Sequence, residues 1–253
     1  MSNGYTQNRS MVICIIAMIG IGSLLAGFAV LLGSSGWNWS SDNTPRHFDF
    51  DELRGPINET VVLNVTMDVG AVTVSFVDNS TLLYRIGLTT TNSTVIKDGA
   101  PTVTLQAGVI NLDYTVGTVV VYLGSGIAYD LRIKTTTGDV VVTALGVASV
   151  SDISLTSSVG AVRLTMTESA SLVGNVTCDL ETDVGDISVN IDLAAAIGGS
   201  FGCTTGIGSV SISAPGWTQI DSRHYQTANY ATASQRLTIT AKTGTGSVSA
   251  VLM

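Results

Sequence analysis

Four aspartates sit at fixed offsets from glycines in a recurring element. Asp139 and Asp186 directly follow Gly138 and Gly185, while Asp68 and Asp183 lie two residues before Gly70 and Gly185. Carboxylates along one edge have two chemical uses. Their oxygens can ligate Ca²⁺, or they can join an Arg or Lys base in a groove, as in β-helix polysaccharide lyases. Arg132 and Lys134 stand in no recognisable arrangement with them, and turn aspartates are most often solvated. The expectation is a non-enzymatic chain with no catalytic residue, no metal site and no cofactor.

The other reactive side chains are sparse. Cys14, Cys178 and Cys203 fit no zinc spacing, and His47 and His224 are too few for a histidine-rich site. His47 reads as solvated. Thr135, Thr182, Thr205 and Thr243 each lie three residues before a repeat glycine. A hydroxyl ladder of this kind ties neighbouring strands together; the alternative is a regular polar surface for a ligand. Trp217, His224, Tyr225 and Tyr230 cluster in an insertion over 214–234. That insertion reads first as a cap on an open edge, and second as a candidate aromatic interaction surface. Asn38, Asn58, Asn64, Asn79, Asn92 and Asn175 begin N-x-S/T triplets, which are candidate glycosylation sites if the domain faces outward.

The element that positions these residues is a glycine followed by one small or acidic residue and then alternating apolar positions. It recurs at Gly70, Gly117, Gly138, Gly160, Gly185, Gly208 and Gly246. From Gly117 onward the intervals are 21, 22, 25, 23 and 38 residues, and a degenerate copy at Ser93 divides the gap before Gly117. Apolar residues also recur seven and five positions before each glycine, for example Ile153 and Leu155 before Gly160, and two after it, as at Val162. Period-2 patterning on both sides of a glycine predicts two half-buried strands joined by a tight turn. One such unit offers about four inward side chains at ~1.5–3 kcal/mol each, too little to order its own backbone. Units must therefore stack, which predicts an all-β fold: a β-solenoid of glycine-centred two-strand repeats. A β-sandwich of hairpins is the runner-up. Stacked in chain order, Cys178 and Cys203 point inward on adjacent units, two residues out of step. That is roughly 8 Å between Cα atoms, too far for a disulfide without movement, so both read as buried small apolar residues.

Met11–Leu32 is an uncharged run of 22 residues, long enough to span a membrane as one N-terminal transmembrane helix. Arg9 on its near side and Trp37 and Trp39 on its far side orient it as a single-pass signal anchor in the cell membrane. The expected organisation is a cytoplasmic tail over 1–10, the anchor over 11–32, a linker over 33–57 and an extracytoplasmic domain over 58–253. Small residues spaced by four (Gly22 and Ala26, Ser23 and Gly27) permit close helix–helix approach in the span. The net charge of −8 and the lack of any basic run argue against nucleic acid as a partner.

The repeated G-[DSAT]-[VI]-x-[VIL] units with their Thr-rich preceding strands resemble the toast-rack, or putative-adhesin, domains over roughly residues 58–253. That resemblance implies a β-solenoid attached to a membrane helix and offers no catalytic residues to carry over. It leaves two functions to weigh: a surface interaction or adhesion module, with a surface glycan as one possible ligand, and an accessory subunit of an envelope-stress sensing complex with a membrane-protein partner.

Overall fold

The computed structural model describes residues 42–253. The expected tail and anchor, with Cys14, Asn38 and the start of the expected linker, lie outside them. Among the described residues no helix is long and apolar enough to cross a membrane.

Each glycine-centred unit folds as the patterning requires, with one strand before the turn and one after it. In chain order the units are β2 and β3 (Val61–Val69, Val72–Phe76), β6 and β7 (Val109–Val116, Thr118–Leu123), β8 and β9 (Tyr129–Thr137, Val140–Ala144), and β10 and β11 (Ser149–Val159, Val162–Met166). They continue with β13 and β14 (Asn175–Val184, Ile187–Ile191), β15 and β16 (Ile197–Ile207, Val210–Ser213), and β19 and β20 (Gln235–Thr245, Val248–Leu252). The first strand of every unit joins one sheet and the second joins another, with a shared apolar core between them. Alternate residues face that core; in β9, Val140, Val142 and Ala144 are fully enclosed. Neighbouring units pair in parallel without slip at the turns, so Val140, Val162 and Ile187 are level.

The order of units in space differs from their order in the chain. Both sheets read second, first, third, fourth, fifth, seventh, sixth. The first unit lies inside the second, and the seventh is inserted between the fifth and sixth. This revises the adjacency of Cys178 and Cys203. Cys178 is level with Ile239 and Cys203 with Ala241, so β19 separates them by two ladder steps, roughly 12 Å. Both thiols are free and buried, as expected of small core residues.

Further strands close the ends. β4 (Leu82–Thr91) adds antiparallel to β7, β1 (Pro45–Leu53) adds antiparallel to β4, and β5 (Val103–Gln106) adds antiparallel to β6. β12 (Ser171–Leu172) pairs with β10. At the other end the insertion forms a hairpin, β17 (Trp217–Asp221) and β18 (His224–Thr227), and β18 pairs antiparallel with β15. The sheets thus have nine and eleven strands, both mixed in direction and neither closed. Pro45–Leu53, inside the stretch read as linker, is an edge strand that packs Phe48 and Phe50 against the core.

The degenerate copy at Ser93 is corrected. Ile86 and Leu88 do face the core, but from an antiparallel strand. Ser93 and Val95 lie in the short helix α1 (Asn92–Asp98), whose N-terminus is capped by Thr91 accepting from the Thr94 N–H at 3.3 Å. With serine in place of glycine, the chain takes a hydroxyl-capped helix instead of the tight turn.

The turns themselves admit no side chain. Gly160 has φ +153°, and a Cβ there would overlap the Gly138 carbonyl of the next unit. Gly146, at φ +55°, has open space around it. Gly160→Ala is expected to cost at least about 3 kcal/mol through backbone strain and displacement of a neighbouring unit. Gly146→Ala should cost about 1 kcal/mol, the left-handed penalty alone. Urea unfolding of the two variants measures the difference; equal losses would refute the close-approach account.

Candidate functional site

The line of turns is where the sequence offered carboxylates and hydroxyls, and the structure uses them internally. Gly138 donates its N–H to the Val159 carbonyl (2.8 Å), and its own carbonyl accepts from Ser157 Oγ (2.8 Å). The same two bonds recur along the stack. Gly160 donates to Val184 and accepts from Thr182 Oγ1, Gly185 donates to Thr245 and accepts from Thr243 Oγ1, and Gly246 donates to Ile207 and accepts from Thr205 Oγ1. Gly70 is held likewise by Thr137 and, at 3.2 Å, Thr135. The threonines are therefore ties between units. Thr135, Thr182 and Thr243 are buried and do not form an outward ligand surface. Ser157 belongs to the same ladder and was missed; a serine three residues before Gly160 is the signal that could have found it.

Two of the four aspartates act in the same way. Asp139 Oδ1 accepts the Ala161 N–H (2.9 Å) and Asp186 Oδ1 accepts the Ser247 N–H (2.7 Å), each across to the next unit. A carboxylate directly after the glycine thus satisfies a turn N–H of its neighbour. Asp68 and Asp183 are exposed on outward positions of β2 and β13. Among the described residues no cluster of three or more His, Cys, Asp or Glu is placed to hold a metal ion. Arg132 is engaged by Asp130 (2.6 Å), and Lys242 by Glu181 (2.7 Å), both on the outer face.

The aromatic insertion packs as well as caps. Trp217 lies against Gly199, where a Cβ would overlap the indole, and Tyr225 is opposite buried Phe201. Both are partly buried against the core. His224 Nε2 is 3.1 Å from Ser200 Oγ, and Tyr230 bonds to Thr238 Oγ1 (3.0 Å) beneath the Arg236 guanidinium. The four residues are brought together at one end of the eleven-stranded sheet, on both of its faces.

The acceptor asparagines are dispersed. Asn58, Asn79 and Asn175 are exposed. Asn64 donates to Asn111 on the neighbouring strand (3.1 Å), and Asn92 donates to Asp42 (2.6 Å). His47 lies on the outer face between Thr89 (2.9 Å) and Asp49 (3.0 Å) and is largely exposed. Two shallow depressions, lined by Val77, Leu82, Arg85 and Tyr122 and by Asn58, Thr60, Val147 and Ser149 among others, hold none of the turn aspartates or insertion aromatics.

Against this geometry, no family model matches the chain, and no curated protein matches it. Among solved structures, a "putative cell adhesion protein" of Clostridium sporogenes superposes with a TM-score of 0.68 at 16% identity, covering 83% of this chain and all of that one. A "putative adhesin" of Bacteroides fragilis, 12% identical over 81% of this chain and 97% of its own, has a TM-score of 0.34, too low to bear on the fold. The Clostridium likeness defines a class of fold, an all-β two-sheet domain, and at that identity nothing more.

Two outcomes follow. Thr182→Val should lose about 1–2 kcal/mol, the value of a buried hydrogen bond, while Thr182→Ser retains most of the stability, as Ser157 does in its unit. Burial raises the Cys178 thiol far above its ordinary range, and burial raises Cys203 too. A maleimide should therefore label both only after unfolding; labelling of Cys178 or Cys203 in the native protein, located by peptide mapping, would contradict the packing.

Proposed function

We propose that this chain is a membrane-tethered β-solenoid serving as a non-enzymatic extracytoplasmic interaction module of the adhesion-like type. The observation that carries the reading is where the reactive side chains go. Glycine carbonyls and N–H groups, threonines and two turn aspartates are consumed in joining units, which leaves the sheet faces and ends as the means of contact. Seven units at ~4.8 Å per step make a stack roughly 30 Å deep, stiff because every unit bonds its neighbour in both sheets. The fold likeness to a protein described as a putative cell adhesion protein points the same way. The apolar run Met11–Leu32 supplies the tether, and the acceptor triplets beyond it suit an outward domain.

A second reading has one specific observation behind it. The small-residue pairs in the apolar run suit packing against another membrane helix, as an accessory subunit of a sensing complex requires.

Cross-linking of the full-length protein in cells, followed by mass spectrometry, separates the two. The adhesion-like reading expects surface glycoproteins or glycans to be captured, and still captured when Met11–Leu32 is replaced by an unrelated span. Capture of one defined membrane protein, lost on that replacement, would overturn it in favour of the accessory subunit.

A further inference from the structure

The backbone hydrogen bonds of the stack run in one direction and stop at one strand. The inward residue of each second strand donates to the next unit: Val72 to Asp139, Val140 to Ala161, Val162 to Asp186, Ile187 to Ser247 and Val248 to Ser209. In the sixth unit the equivalent residues are Gly208, Val210 and Ile212. β16 has β20 on one side and, among the described residues, no strand on the other. Alternation along a strand turns the N–H and C=O groups of Gly208, Val210 and Ile212 to that vacant side. Val210 and Ile212 are only partly buried, whereas their counterparts Val189, Val248 and Ala250 are enclosed.

The opposite sheet does not stop there. Beyond β15 it continues through β18 to β17, so it overhangs the bare edge by two strands. The overhang turns Tyr225, Gln219 and Trp217 toward the space where the missing strands would lie, since Tyr225 pairs with core-facing Phe201, and Gln219 with Tyr225. Ile207, at the end of β15, and Ile220, near the end of β17, are 71% and 54% exposed. The edge strand itself carries no charge and no proline, the usual blocks on pairing. The far end of the nine-stranded sheet is protected in just that way, by Pro45, Arg46, Asp49, Asp51 and Glu52 of β1.

We propose that this step is a strand-binding seat: the outer edge of β16 takes an extended polypeptide segment from a partner protein, which lays alternate apolar side chains on Trp217 and Tyr225. Deepening the interaction-module reading on which it rests, this assigns that module a site and a class of partner. Unpaired backbone donors and acceptors at strand spacing are complementary to another extended backbone. A second copy joined edge to edge is excluded by the overhang, because its own β15 would need the place held by β18. The seat is two strands wide, so a single segment or a hairpin fits.

The test uses the full chain in detergent, panned against phage-displayed nine-residue peptides. Peptides with alternating apolar residues should enrich, and bind Ile212→Pro at least about tenfold more weakly, because proline deletes an outward N–H and leaves the β20 ladder intact. Should that variant not fold, amide exchange on the unaltered chain decides. A bound peptide should slow Val210 and Ile212 by about tenfold or more and leave Ser211 unchanged. No enrichment, equal binding to Ile212→Pro, or protection of Val210 and Ile212 before any peptide is added would each overturn the seat. Cross-linking that captures a partner away from β16 would sink the seat alone; failure to capture any partner would sink the interaction module itself.

Discussion

Every feature of this domain depends on one contact, the approach of a turn glycine to the glycine of the next unit. The carbonyl of one lies where the Cβ of the other would be, and Gly70, Gly138, Gly160, Gly185 and Gly246 each bond the strand of the next unit through both N–H and C=O. That contact fixes the relative height of two units in both sheets at once. Register in one sheet therefore cannot slip without breaking register in the other, and the apolar positions stay aligned across the core. The hydroxyl three residues earlier and the carboxylate one residue later are secondary to it; each supplies a further bond at a spacing the glycine pair has already set.

The repeat was legible because its requirements are local. Ile153, Leu155, Val162 and Leu164 must face one way whatever lies beside them, and the glycine must turn whatever follows. Neighbour identity is another matter. All units present nearly the same inward pattern, so Leu180 packs as well beside Ala241 as beside Cys203. The connecting loops do not decide it either. The five residues between β14 and β15 can reach about 17 Å, enough for one step or two. The unit order, and with it the distance between the cysteines, thus lay beyond sequence reading. The two end strands were obscure for a different cause. β1 carries proline and several charges, which mark an edge as readily as a linker, and β4 matches the repeat at Ile86 and Leu88 while running the opposite way.

The candidate site was legible in its members and not in their employment. Asp139 and Asp186 were visible as a series, but a carboxylate that accepts a backbone N–H looks the same in sequence as one that awaits an ion. The insertion was readable as a cap because it interrupts the period. What could not be read is that it covers one sheet and leaves its counterpart bare, since that depends on which unit ends the stack.

The displaced order of units has a consequence for the timetable of synthesis. The fifth unit cannot receive its neighbour when that neighbour's sequence first emerges, because the place beside β13 belongs to β19. β15 and β16 must wait, with their apolar faces uncovered, through the synthesis of the β17–β18 hairpin until Gln235–Leu252 has been made. The last third of the domain therefore cannot fold progressively as it leaves the ribosome or the translocation channel. It closes in one step, by a strand pair that arrives late and enters the middle of the stack. A ribosome stalled before residue 235 would leave the sixth unit without β19 and β20, the two strands that tie it to the rest of the stack, the kind of exposed edge that chaperones and proteases recognise.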